Sequence, residues 1–327
     1  MKVKSFLISL LLVFGGMFGT LGVTLPSFSA GAVSVDASRW DGTYATSVNQ
    51  NDTDIQGFDS AGNEVDITSS SVKTIRIHTA RGFSYFATQV NNGKAFANMT
   101  IVLESDINLA GHEWKPMGYN VTRTNYFSGT FDGNHKTIYN LHNPSSLSVF
   151  GLFARVDGTI KNLNLAETNI DFSGRIASTQ YIGAVVGELN GGTIDNVSVR
   201  GQVNSNLYGA DAYVGGLVGY AHDNYDNSRT AVIKNSGNFA KVSAVQTVGG
   251  LVGSVNGDVE ISTSFNVGEI ANNQNTNAGA IYVGGLVGRV RVTLEKYLSL
   301  INSFNNGEIH LFASTNNVNV KAGGLIG

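Results

Sequence analysis

The sequence predicts an all-β fold: a right-handed parallel β-helix, a solenoid with an N-terminal cap containing a short helix. Three observations carry this reading. A glycine-bracketed apolar phrase returns at near-constant intervals, a second phrase keeps step with it, and the repeats contain no ten-residue stretch at helical spacing. Composition agrees. The 327 residues include 40 glycines, 3 prolines and 14% charged side chains, yet 42% are hydrophobic. That profile suits short strands and tight turns and excludes collagen-like and disordered chains.

Residues 1–32 read as an export signal. Lys2 and Lys4 precede an apolar run from Phe6 to Val23, and Ala30 and Ala32 stand in A-x-A spacing, which places cleavage after Ala32. The alternative, an uncleaved anchor, has a run near spanning length but diluted by glycines and Thr20. Cleavage removes two lysines and moves the formal net charge from -3 to -5. No later stretch spans a bilayer as a helix, so no membrane contact is expected after cleavage, and the location is secreted or cell surface. The absence of any Lys/Arg run argues against nucleic-acid partners. The chain has no cysteine, which excludes disulfides, thiolate metal sites and a Cys nucleophile. An exported chain of this size is then held by its core alone.

Residues 33–73 form a small N-terminal β segment, in which "DIQGFDSAGNEVDI" reads as two strands around an "SAGN" turn. The repeat region with its cap covers 74–327. A short helix is expected near 81–91, with Phe83, Phe86 and Val90 at helical spacing, followed by a strand at 100–104. Such a helix would close an end of the stack that otherwise presents unpaired backbone. At the other end Gly327 falls inside a repeat phrase, so the region is expected to be truncated there.

The first phrase occurs as "FGLFAR", "IGAVVGEL", "VGGLVGYA", "VGGLVGSV", "VGGLVGRV" and "AGGLIG", with steps of 33, 32, 34, 35 and 39 residues between Gly151, Ala184, Gly216, Gly250, Gly285 and Gly324. Between them run "IKNLNL", "IDNVSVRGQV", "IKNSGNFAKV", "ISTSFNVGEI" and "LINSFNNGEI". One unit cannot bury its apolar face; parallel stacking of successive units can. Leu152, Val185, Leu217, Leu251, Leu286 and Leu325 then form one inward column. Ile160, Ile194, Ile233, Ile261 and Leu300 form a second, and Val203, Val242, Ile270 and Ile309 a third. Three columns imply three faces and strands of four to six residues. Glycine at the corners supplies positive φ and close approach. Asn162, Asn196, Asn235 and Asn302, and separately Asn238, Asn266 and Asn305, are expected to stack as hydrogen-bonded amide ladders.

These phrases, with "INLAGHEWKPMG" and "YFSGTFDGNHKTIYNLH" before them, resemble the GLUG-motif family of bacterial secreted and cell-surface proteins over residues 73–327. The resemblance implies a surface-displayed β-helical stalk or adhesin-like protein. The motif also occurs in immunoglobulin A metallopeptidases, which add a zinc protease domain. Here His112-Glu113 opens like H-E-x-x-H, but position 116 is Pro, so the second imidazole is missing. "FGLFAR" and "IGAVVG" depart from the pattern at Ala154 and Ala184.

The expectation is therefore a non-enzymatic protein without cofactor or metal that binds a host or matrix glycan or protein through loops; the alternative is a β-helical polysaccharide lyase or glycoside hydrolase. Glu269 and Glu308 share a column with Gln202 and Lys241, which reads as a solvated face. Asp132 in "TFDGNHKT" reads as an Asx-turn residue. Asp52, Asp54, Gln56, Gly57 and Asn63 approach an EF-hand loop without its closing Glu, and His222 beside Asp223 reads as an exposed loop histidine. The insertions "NSNLYGADAY", "YAHDNYDNSRT" and "ANNQNTNAGAIY" set Tyr208, Tyr213, Tyr220, Tyr225 and Tyr282 beside Asn and Asp, a combination suited to glycan or protein ligands. The competing reading is that these rings cover the outside of the core.

Overall fold

The computed structural model describes residues 38–47, 54–120, 124–224, 228–273, 280–293, 295–312 and 319–327. The chain divides into Met1–Ala32 and Val33–Gly327. The export segment 1–32 and Tyr225 lie outside the described residues. What is described is nearly all-β, with three sheets of 19, 5 and 6 strands and one helix. The only antiparallel pairings among the described strands join Ile55–Phe58 to Glu64–Val65 and to Thr74–Ile77. All others are parallel.

Parallel pairing follows the repeat. The three sheets are visited in the same order each time: Ala212–Gly215, Val218–His222 and Ala231–Lys234 in one unit, then Thr247–Gly249, Val252–Asn256 and Val259–Ser262 in the next. The expected columns are in register. Ile160 pairs with Ile194, then Ile233, Ile261 and Leu300, and Val203 pairs with Val242, Ile270 and Ile309. In the bends, the Val185, Leu217, Leu251 and Leu286 amides donate to the carbonyls of Leu217, Leu251, Leu286 and Leu325. The Val185, Leu217, Leu251 and Leu286 side chains belong to one continuous apolar cluster and are fully buried, while Leu325 is exposed.

The bend glycines explain the constancy of the phrase. An added Cβ at Gly216, Gly250 or Gly285 would collide with the carbonyl oxygen of Gly250, Gly285 or Gly324, and with the carboxamide of Asn238, Asn266 or Asn305. None of the three has positive φ, so close approach alone demands glycine here, which corrects the expected role of left-handed backbone. Ala184 is accommodated in a unit whose ladder position is Val199, the register partner of Asn238.

The Asn ladder is buried. Asn238 Nδ2 donates to Asn266 Oδ1 and Asn266 Nδ2 to Asn305 Oδ1, each at 2.7 Å, while the same amides donate to the Ala240 and Gly268 carbonyls. The other asparagine column adopts positive φ at Asn162, Asn196, Asn235 and Asn302. Its amides connect from Asn196 through Asn162 to Asp132, but Asn235 turns to Asp195, which breaks the expected continuous ladder.

Two strands exceed the expected length. Thr159–Arg175 and Thr193–Tyr208 run 17 and 16 residues and stay paired from Thr159↔Thr193 to Arg175↔Tyr208. A register shift between Leu165 and Thr168 lets the strands bend without ending the ladder. The helix Ala80–Asn91 is present, with the Thr79 hydroxyl accepting from the Gly82 amide. Its Phe83 stacks on Trp114 at 5.3 Å, and Phe86 meets Phe127 and Phe131.

Replacing Asn266 with Ala removes hydrogen-bond partners from Asn238, Gly268 and Asn305 at once. The expected loss is about 1–3 kcal/mol for each partner left buried and unsatisfied, measured by chemical denaturation against Asn306→Ala, whose side chain is exposed.

Candidate functional site

The parallel register gathers side chains by repeat position. The residue two positions before the first glycine of each phrase gives the column Val149, Tyr181, Tyr213, Thr247, Tyr282 and Lys321. The residue after the final glycine, or after Ala154 in the first phrase, gives Arg155, Glu188, Tyr220, Ser254 and Arg289 on the adjoining sheet. The bend brings the columns together. Tyr181 stacks on Tyr213 at 5.7 Å and on Tyr220 at 4.7 Å between centroids, and Tyr213 lies 6.0 Å from Tyr220.

Cations close one end of this aromatic face. The Arg289 guanidinium sits 4.7 Å from the Tyr282 centroid and Lys321 Nζ 5.2 Å. Asp211 balances part of that charge, 3.6 Å from Arg289. Burial pushes the Tyr213 and Tyr220 hydroxyls above their ordinary range, partly offset by Arg289 and Arg291 at Tyr213 and by a hydrogen bond from Asn256 at Tyr220. Both remain neutral phenols at physiological pH.

At the other end lies a buried ion pair. Arg155 Nε is 3.0 Å from Glu188 Oε2, with both side chains essentially inaccessible, and Glu188 Oε1 is 3.3 Å from His222 Nε2. His222 Nδ1 faces the Asp223 carbonyl at 2.6 Å, and its ring packs on Tyr220 at 4.9 Å. His222 ends the strand Val218–His222 and is 5% exposed, which overturns its reading as an exposed loop residue. Its chain neighbour Asp223 pairs with Lys296 at 2.6 Å.

Of the tyrosines singled out in the sequence, Tyr213, Tyr220 and Tyr282 belong to this face. Tyr213 is 5% exposed and Tyr220 and Tyr282 are half-buried. Tyr208 stands apart at the end of its long strand, 40% exposed. Sequence reasoning passed over Tyr181, Glu188, Arg289 and Lys321, although the aligned phrases mark their positions.

The remaining candidates resolve locally. Asp132 Oδ1 accepts from the Asn134 amide at 2.9 Å, the expected Asx turn, and also from Asn162, while Lys161 lies 3.1 Å from Oδ2. Glu269 pairs with Lys241 at 2.8 Å on an exposed face. The EF-hand-like string is no loop over its described part, since Ile55–Phe58 is a paired strand and Asp54 accepts from Thr79. Among the described residues no group of three or more His, Cys, Asp or Glu side chains is placed to hold a metal ion.

No family model matches the chain. It is similar to two streptococcal proteins named immunoglobulin A1 protease. The Streptococcus pneumoniae protein is 24% identical over 65% of this chain and 13% of its own length; the Streptococcus sanguinis protein is 28% identical over 56% and 12%. Halomucin from Haloquadratum walsbyi is 33% identical over 39% of the chain and 1% of its own length. The chain thus spans a small part of each. A crystal structure of a Bacteroides ovatus protein, provisionally assigned as an immunoglobulin A1 protease, superimposes with a TM-score of 0.59 at 20% identity, covering 77% of this chain and 72% of that one. That likeness supports the fold. These findings overturn the expectation of a non-enzymatic protein, since the similarity is to proteins named as proteases. No helix among the described residues is long and apolar enough to cross a membrane.

Glu188→Ala leaves Arg155 charged and buried, and is expected to destabilise the protein by about 3–5 kcal/mol in denaturant titrations. Acid sensitivity has a separate source. Burial raises the Asp132 pKa, but the Asn134, Asn162 and Lys161 contacts outweigh it and leave the carboxyl below its ordinary range. A depressed folded-state pKa contributes stability in full above the unfolded value of about 4, lost as pH falls through the folded one. Asp132→Asn is expected to flatten that acid limb of a thermal-melt pH series.

Proposed function

We propose that this chain is an exported right-handed parallel β-helix that serves as a recognition segment of a protease-type surface protein. The hand follows the usual crossover rule for parallel strands. The helix Ala80–Asn91 caps one end, and residues 1–32 direct export and are removed. In this reading the coil positions a protein or glycan ligand, including immunoglobulin A1, for chemistry carried elsewhere in the protein.

The observation that carries the reading is the tyrosine–cation face. A purely structural outer face needs no more than short polar side chains, yet here Tyr181, Tyr213 and Tyr220 stack across two adjoining units, and, one unit beyond Thr247 and Ser254, Tyr282 lies against Arg289 and Lys321. Flat rings with a polar edge and nearby guanidinium groups are enriched where proteins meet ligands. The rigid spacing of parallel units also lets weak contacts add along the coil.

Surface plasmon resonance of the chain against immunoglobulin A1, together with a glycan array, tests this. Binding is expected, and Tyr282→Ala and Arg289→Ala are each expected to weaken it about tenfold or more with an unchanged melting temperature. Binding that survives both substitutions, or no binding to either probe set, overturns the proposal.

A further inference from the structure

A second surface has no role in the preceding reading. Five successive parallel strands of the largest sheet begin with threonine, Thr74, Thr100, Thr130, Thr159 and Thr193, each pairing with the next, and the last four border one furrow. Their chain neighbours Ile101, Phe131, Ile160 and Ile194 are fully buried, so alternation turns the threonines outward, where they are half-buried. At the usual strand spacing the four hydroxyls form a line about 14 Å long. They border a cavity of about 690 Å³, whose lining also includes Gly129, Gly158 and Gly192.

The cavity is held open by backbone packing. A Cβ at Gly129, Gly158 or Gly192 would press on the carbonyl oxygen of Phe96, Gly129 or Gly158, so no side chain can rise from that column to fill the space. The hydroxyl line ends where Thr193 meets Val232. Arg229 and Asp157 stand in the lining, with Arg229 Nη1 donating to the Asp157 carbonyl at 2.8 Å and Nη2 lying 3.6 Å from Oδ2.

We infer that this furrow binds a neutral oligosaccharide laid along the direction of strand stacking, with the Thr130 and Thr159 hydroxyls hydrogen-bonding its hydroxyl groups. The lining is polar, and its one ion pair leaves no excess charge to draw an acidic polymer. A peptide would need an apolar pocket or a free strand edge; Met99 is the main apolar side chain here, and the adjoining strands are already paired on both sides. The strand spacing is comparable with one pyranose unit, so successive sugars can meet successive threonines.

Affinity electrophoresis of the full chain through gels containing soluble xylan, mixed-linkage glucan or mannan tests the inference, with hyaluronan as the charged control. At least one neutral polymer is expected to retard the protein. The double variant T130V/T159V is expected to lower that affinity about tenfold, while T130S/T159S, which keeps the hydroxyls, retains it. Circular-dichroism melts of both variants establish that they fold. The inference is overturned if no neutral polymer retards the chain, if only hyaluronan does, or if the folded valine variant binds as well as the parent. Asn306→Ala, at an exposed position outside the lining, is expected to leave this retardation unchanged.

Discussion

Backbone from one repeat unit packs directly against backbone from the next, and most of the structure follows from that contact. At Gly216, Gly250 and Gly285 the following unit's carbonyl occupies the place of a side chain. Once the units are this close, parallel hydrogen bonding aligns every repeat position with its equivalent. Buried valine, leucine and isoleucine then stack on their own kind, and the apolar area removed from water grows with each unit added.

The same contact makes polar positions demanding. An amide that reaches the interior must satisfy its own turn and its neighbours together, as Asn266 does through Gly268 and Asn305. Such an amide fixes register as well as stability, because a slip by one residue would leave several groups unpaired. Where the amide is absent, at Val199, the bend carries Ala184 in place of glycine. The ladder and the glycine are thus one feature viewed from two positions.

Function inherits this geometry. A column that is apolar inside becomes a line of chemically related groups outside, at strand spacing. One such line carries tyrosines that end in cations; another carries threonines beside a trench. Each makes a surface suited to extended ligands without a pocket of the enclosed kind. The two streptococcal proteins named as proteases are much longer, and this chain spans 13% and 12% of their lengths.

The sequence by itself determined the repeat, the parallel stacking and the three inward columns, because an apolar residue every 28 to 39 positions leaves water by stacking on its equivalents. It also specified the helix at Phe83, Phe86 and Val90 and the Asx turn at Asp132, both of which are local. Tertiary structure decided the rest. That His222 is buried against Glu188, that Tyr181 joins Tyr213 and Tyr220, and that Thr159 to Arg175 remains one strand all depend on how the bends fold one sheet toward another. Linear periodicity carries the spacing along the stack but not the angle between faces, and that angle sets which columns meet.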